Sequence, residues 1–160
     1  MIRLVIVDDM PDIRNYLAEE LAAASEQFSV VGAAEDGTEA VKLVDSLLPD
    51  VVLMDIQMKT RTEGIYAIRI IHERHPDIKC IALTIHEDDE LIFQAYLAGA
   101  ADYIIKTRSI DTIKNSILAV VNNRLLLRPE VGQRLIQEYQ RVQNQENRMK
   151  ETMQDRKSVV

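Results

Sequence analysis

Cysteine is nearly missing from this chain: Cys80 is the only one in 160 residues. That excludes an internal disulfide and suits a reducing cytoplasm. Long apolar runs are missing too. No stretch approaches the ~20 uncharged apolar residues that a membrane span requires. The opening MIRLVIVDD meets two carboxylates within nine residues, which is not the pattern of a secretory signal. A cytoplasmic protein with no membrane partner is expected. Positive charge is scarce where most of the chain lies. Residues 1–124 carry 21 acidic and 12 basic residues (−9), and residues 125–160 carry 5 and 7 (+2). The main body is therefore a poor binder of nucleic acid, which needs a basic face. The histidines His72, His75 and His86 lack a zinc-like set of partners. Internal repeats and low-complexity segments are absent.

Apolar residues make up 47% of the chain and charged residues 28%, enough to bury a globular core. Five short runs rich in Val and Ile recur at even spacing: RLVIV (3–7), FSVVG (28–32), VVLM (51–54), KCIALT (79–84) and DYIIK (102–106). None alternates cleanly with polar residues, which is the pattern of strands buried on both faces of a parallel sheet. Helical stripes separate them. They are Ile13, Leu17 and Leu21; then Ala40, Val41, Val44, Leu47 and Leu48; then Ile65, Ile68 and Ile71 or Ile70. Leu91, Ile92, Ala95 and Tyr96 form a fourth, and Ile110, Ile113, Ile117, Val120 and Val121 a fifth. Pro49 and Pro76 end two of these helices, and Gly32 and Gly99 mark strand or helix ends. Five βα units imply an α/β fold with a doubly wound parallel sheet, because the crossover helices must cover both faces. The pattern alone leaves the strand order open. Residues 125–160 read differently. They hold no β run, Pro129 suits a helix's first turn, and Leu135, Tyr139, Val142, Met149 and Met153 form one apolar stripe. A helical linker or tail is expected, only marginally suited to a coiled coil because Glu146 interrupts the stripe.

In a parallel sheet, ligand chemistry collects at the carboxyl ends of the strands. Five polar residues stand at four of these ends: Asp8 and Asp9 after the first strand, Asp55 after the third, Thr84 at the end of the fourth and Lys106 at the end of the fifth. Alone, each acid reads as a turn or cap, the threonine as structural and the lysine as a solvated charge. Together they would converge on one rim. Three carboxylates repel one another unless a cation compensates, and Mg²⁺ takes oxygen ligands while keeping its waters. Such parts suit phosphoryl transfer to a carboxylate. The metal and lysine neutralise the equatorial oxygens, and the hydroxyl donates to one of them. Asp55 is the best acceptor, because it stands alone between the acid pair and the Thr/Lys pair.

The ordered motifs VDD, VVLMD, ALT and YIIK closely resemble the response-regulator receiver domain of two-component signalling (CheY-like), in its NarL/LuxR-type subclass. The resemblance covers residues 1–124. It implies a flavodoxin-like sheet of order 2-1-3-4-5, phosphorylation of Asp55 by a sensor histidine kinase, and Mg²⁺ held by Asp8, Asp9, Asp55 and the backbone carbonyl of Gln57. It further implies that Thr84 and Lys106 contact the phosphoryl group. Tyr103 takes the switch position, turning inward as Thr84 moves and so changing the surface of the fourth helix and fifth strand. Without that role Tyr103 would be a half-buried strand aromatic. The family's usual residues are replaced in three places. Lys59 stands where proline is common and Gly64 comes one residue late, Ile85 follows the threonine where a small residue is usual, and Thr107 replaces the proline after the lysine. A trans Lys106–Thr107 peptide follows, since a non-proline cis bond costs ~2.5–4 kcal/mol.

RLLLRPEVGQRLIQEY resembles the linker that leads to a helix-turn-helix domain in NarL/LuxR-type regulators. Residues 125–160 thus read as a linker in a fragment cut before its effector domain, or as the tail of a stand-alone receiver. DNA would be reached only through an effector domain absent from this chain, and a homodimer is a further expected partner. The expected behaviour is that of a switch, not an enzyme. Two other readings stand beside it. One is a receiver-like interaction module that works without phosphorylation. The other is a phosphohydrolase of the haloacid-dehalogenase type, which Gln57 disfavours because it replaces that family's second aspartate.

Overall fold

The computed structural model describes residues 1–60, 62–85, 88–106, 109–124 and 129–158, the side chains of 130 and 154–158 excepted. Arg61, His86, Glu87 and Thr107 lie outside the described residues, and with Thr107 the expected trans peptide. Contacts divide the chain into two compact units, Met1–Leu126 and Leu127–Val160. In the first, β1 (Ile2–Val7), α1 (Pro11–Ala24), β2 (Phe28–Ala34), α2 (Gly37–Leu47), β3 (Val51–Asp55) and α3 (Glu63–Arg74) alternate. β4 (Lys79–Thr84), α4 (Asp89–Ala98), β5 (Asp102–Ile105) and α5 (Ile110–Val121) complete it. All strand pairs are parallel, in the order β2-β1-β3-β4-β5. The strand order implied by the family resemblance is therefore the observed one.

The strands are apolar on both sides because helices cover both sides. Leu4, Ile6, Leu53, Ile81, Leu83 and Ile104 point to one face, where they meet Leu17 and Leu21 of α1 and Ile113 and Ile117 of α5. The alternate residues Val5, Val7, Val52, Met54 and Ala82 are also fully or almost fully buried, and α2, α3 and α4 pack in series on that side. Each fully buried Leu or Ile contributes roughly 1.5–3 kcal/mol, so neither face can be exposed cheaply. Cys80 belongs to this interior. Burial pushes its thiol up to about 12, and the thiolate that would react is not formed at neutral pH.

Helix starts follow local capping chemistry. Asp36 accepts from the Glu39 amide, Asp88 from the amides of Glu90 and Leu91, and Ser109 from that of Thr112. Three details depart from the sequence reading. Gly32 lies inside β2 and not at its end. The register slips between Leu4 and Val5, and a Cβ on Gly32 would stand 2.9 Å from Leu47 Cδ1 and 3.0 Å from Leu43 Cδ2, so the glycine lets α2 close onto the strand. Leu48, read as part of the α2 stripe, instead ends that helix in left-handed conformation (φ 48) and is exposed. Asp102 and Ser116, unremarkable in sequence, form a buried pair in which the serine hydroxyl donates to the carboxylate at 2.5 Å.

The second unit holds α6 (Pro129–Ser158), a single helix of 30 residues. Tyr139, Val142, Met149 and Met153 of its stripe are exposed. Among the described residues, no helix is long and apolar enough to cross a membrane.

Candidate functional site

The parallel register brings the polar strand ends together. Val7 pairs with Met54, so Asp8 and Asp55 follow side by side; Thr84 pairs with Ile105, placing Lys106 next to the fourth strand's end. Lys106 is separated from Asp8 by 98 positions, yet its Nζ donates to Asp8 Oδ2 at 2.5 Å and lies 3.1 Å from Asp55 Oδ2. Both acids are buried, Asp8 at 0% exposure and Asp55 at 3%. The other carboxylate oxygens are tied to main chain: Asp8 Oδ1 accepts from the Met10 amide at 2.9 Å, and Asp55 Oδ1 from the Gln57 amide at 3.1 Å. Each acid therefore closes a short turn on itself two residues on, which stops the strand and fixes the carboxylate's direction.

Asp9 completes the group from the surface. It is exposed, and its carboxylate, with those of Asp8 and Asp55, offers ligand oxygens that all lie within 4.8 Å of one another. One ammonium faces three carboxylates, a formal −2 when all are ionised. The imbalance shows in Asp55, whose carboxyl is pushed up to about 6, chiefly by burial and further by the charge of Asp8, with Lys106 opposing. A hard divalent cation fits this set: the donors are all oxygen, and its charge supplies what Lys106 leaves uncompensated. A second acidic group, Glu35, Asp36 and Glu39, is more open and has Lys59 Nζ at 4.0 Å from Asp36.

Thr84 is fully buried at the rim, and its hydroxyl donates to Gln57 Oε1 at 3.4 Å. Gln57 therefore reaches the site through its side chain as well as its backbone. Ile85, next along, is 56% exposed. Tyr103 is 2% exposed, deeper than the half-buried strand aromatic it would be without a switch role.

Three further residues shape the site, and of these the sequence had singled out only Gly64. Gly64 opens α3 directly against the end of β3: a Cβ there would stand 2.1 Å from the Asp55 carbonyl oxygen and 2.4 Å from Ile56 Cα. Beside it, Glu63 accepts from the Gly37 amide at 3.0 Å, tying α3's first turn to that of α2. Arg14, from α1, donates to the Asp8 carbonyl at 2.8 Å. A glycine near a helix start and an arginine one helical turn past an acid pair are faint signals, legible only once the contact is known.

The raised Asp55 has a measurable consequence. Its folded-state carboxyl binds a proton more tightly than the unfolded one, whose ordinary value is 3.8. Its stabilising contribution is complete below that value and is lost as pH rises through about 6. In the absence of divalent cations, Asp55→Asn should raise stability by up to about 3 kcal/mol near about pH 8 and by almost nothing near about pH 4. Urea unfolding at the two pH values measures this; equal gains at both would contradict it.

Comparison with known proteins adds the family context. The family model described as "Response regulator receiver domain" matches residues 4–118. The transcriptional regulatory protein YdfI of Bacillus subtilis is 34% identical over 161 residues, covering 100% of this chain and 73% of that protein. The transcriptional regulatory protein DegU of Brevibacillus brevis is 36% identical over 145 residues, 91% of this chain and 61% of DegU. The chain thus spans three fifths to three quarters of the length of these relatives. Among solved structures, a LuxR-family two-component response regulator from Aurantimonas is similar with a TM-score of 0.74 at 28% identity, covering 86% of this chain and 96% of that one. A LuxR-family DNA-binding response regulator from Staphylococcus aureus gives 0.70 at 26% identity, covering 76% and 99%.

Proposed function

The chain belongs to the response regulator receiver family, and on that footing we propose that Asp55 is its phosphoryl acceptor. The observation that carries the proposal is Lys106 Nζ shared between Asp8 and Asp55, two buried carboxylates with the exposed Asp9 beside them. An Asp55 carboxylate oxygen attacks the phosphorus of a phosphohistidine on a sensor kinase. The O–P bond forms, the N–P bond breaks, and the imidazole leaves with the electron pair. Asp8, Asp9, Asp55 and the Gln57 carbonyl would hold Mg²⁺, which when bound neutralises charge on the transferred group. Lys106, at Asp55 Oδ2, would donate to the transferred group and neutralise part of the same charge. Thr84 exchanges its Gln57 contact for a phosphoryl oxygen.

The switch acts on a buried Tyr103. Thr84 and Tyr103 stand on adjacent strands, so movement of the hydroxyl changes the packing around a ring that already fills its space, and the α4–β5 surface responds. Residues 1–124 serve as the receiver and 125–160 as a helical linker. Control of transcription through a DNA-binding segment outside these residues fits relatives named as transcriptional regulators and the acidic balance of the main body. Action in the cytoplasm, a kinase as donor and pairing of receivers complete this reading.

Incubation with acetyl phosphate and Mg²⁺ followed by intact-mass measurement tests it. An adduct of ~80 Da (one HPO₃ on a carboxylate) should form on the wild type, need Mg²⁺, and vanish in Asp55→Asn. An adduct that persists in that variant would place the acceptor elsewhere.

A further inference from the structure

The turn that carries Asp8 and Asp9 has few means of support. β1 ends at Val7, and α1 begins at Pro11 with Met10 as its cap residue, whose side chain makes no capping hydrogen bond. Pro11 has no N–H to contribute. Beside the Lys106 contact to Asp8 Oδ2 and the Arg14 amide bond to the Met10 carbonyl, three ties hold the turn: the Asp8 amide donates to the Ala34 carbonyl at 3.1 Å, the Met10 amide to Asp8 Oδ1 at 2.9 Å, and Arg14 Nη1 to the Asp8 carbonyl at 2.8 Å. Arg14 supplies the only one of the three that comes from a side chain of α1. Among the described residues, the exposed Asp9 carboxylate has no hydrogen bond or ion pair, so its position is set by the backbone on either side.

We propose that Arg14 is a positioning residue for the divalent cation. By gripping the Asp8 carbonyl it fixes the turn so that Asp9 keeps ligating distance to Asp8 and Asp55. The inference rests on the reading of these acids as a Mg²⁺ site. It makes a claim that charge alone contradicts. A guanidinium beside a cation site repels the cation, so removing its charge should tighten binding if charge were its whole effect. Removing a residue that orients a ligand from behind loosens binding, typically about 10–100-fold.

The direction of the change is therefore the test. Mg²⁺ affinity is measured by calorimetry on the full chain for the wild type, Arg14→Met, Arg14→Lys and Asp9→Asn. Arg14→Met, which keeps the aliphatic stem, should bind at least about tenfold more weakly. Arg14→Lys, which keeps a long donor, should bind within about threefold of wild type, because one hydrogen bond to a carbonyl is all the contact needs. Labelling of Arg14→Met by acetyl phosphate should recover at saturating Mg²⁺, separating a positioning loss from a lost reactive group. Urea midpoints check that the variants are folded. Unchanged or tighter Mg²⁺ binding in folded Arg14→Met, with binding lost in Asp9→Asn, overturns the role of Arg14 alone. A wild type that takes up no Mg²⁺ overturns the cation-site reading and this inference with it.

Discussion

Lys106→Met should cost about 3–5 kcal/mol of folding stability near about pH 7.5 in the absence of Mg²⁺, the usual penalty for stripping a buried ion pair of one partner. Asp8 and Asp55 are almost fully buried, and the lysine side chain between them is itself only 11% exposed. Without it two carboxylates face each other with no protein cation between them. The loss should depend on pH in a defined direction. Lys106 is the main group holding down an Asp55 carboxyl that burial has already raised to about 6. In the variant the carboxyl rises further, so the folded state gains a proton that the unfolded state does not hold. A raised folded-state value means stability that is present at low pH and lost as pH climbs. The deficit should therefore shrink toward about pH 4–5, where a proton replaces the lysine, and millimolar Mg²⁺ should recover part of it near neutrality. Urea denaturation at both pH values, with and without Mg²⁺, measures all of this. A loss that ignores pH and metal alike would mean that Lys106 acts through packing of its aliphatic stem.

Gly64→Ala should cost about 3 kcal/mol or more, at the upper end for an added methyl. The atoms a Cβ would strike are backbone, the Asp55 carbonyl oxygen at 2.1 Å and Ile56 Cα at 2.4 Å, and backbone has no rotamer to escape by. Either α3 lifts away or the end of β3 moves, and the second displaces Asp55. Labelling by acetyl phosphate should therefore fall along with stability. Gly37→Ala is the control. There the nearest atoms are Glu63 Cγ at 3.2 Å, on a flexible side chain, and Ala67 Cβ at 3.3 Å, which needs only a few tenths of an ångström of movement by α3, and the cost should stay under about 1 kcal/mol. Comparable losses in the two variants would mean that the contact with the acceptor strand carries no special cost.

Much of the site was legible because its parts are local signals repeated. Each polar residue terminates an apolar run, and termination of a buried strand is visible without knowing what lies beside it. Asp8, Asp55, Thr84 and Lys106 were each ambiguous alone. The inference that they meet needed only one added premise, that the strands are parallel, and the continuous Val/Ile character of the runs supplied it. The strand order came from resemblance and not from the pattern, because the same βα alternation is compatible with several orders. The depth of Tyr103, 2% exposed, was not legible, since depth within β5 depends on what α4 and α5 place over it.

The sequence by itself determined the alternation of strands and helices and the polar residues that follow or close four of the five strands. These follow from periodicity and from the rule that a charge ends a buried run. Only the tertiary structure decided which groups share a partner. Lys106 joins Asp8 across 98 positions, Arg14 closes on a carbonyl, and Gly64 is needed for a backbone oxygen 2.1 Å from where its Cβ would be. Asp102 finds Ser116 in the interior. Contacts to backbone and contacts between distant elements leave no period in the chain. They are set by how closely two elements approach, and that distance exists only after the sheet has closed.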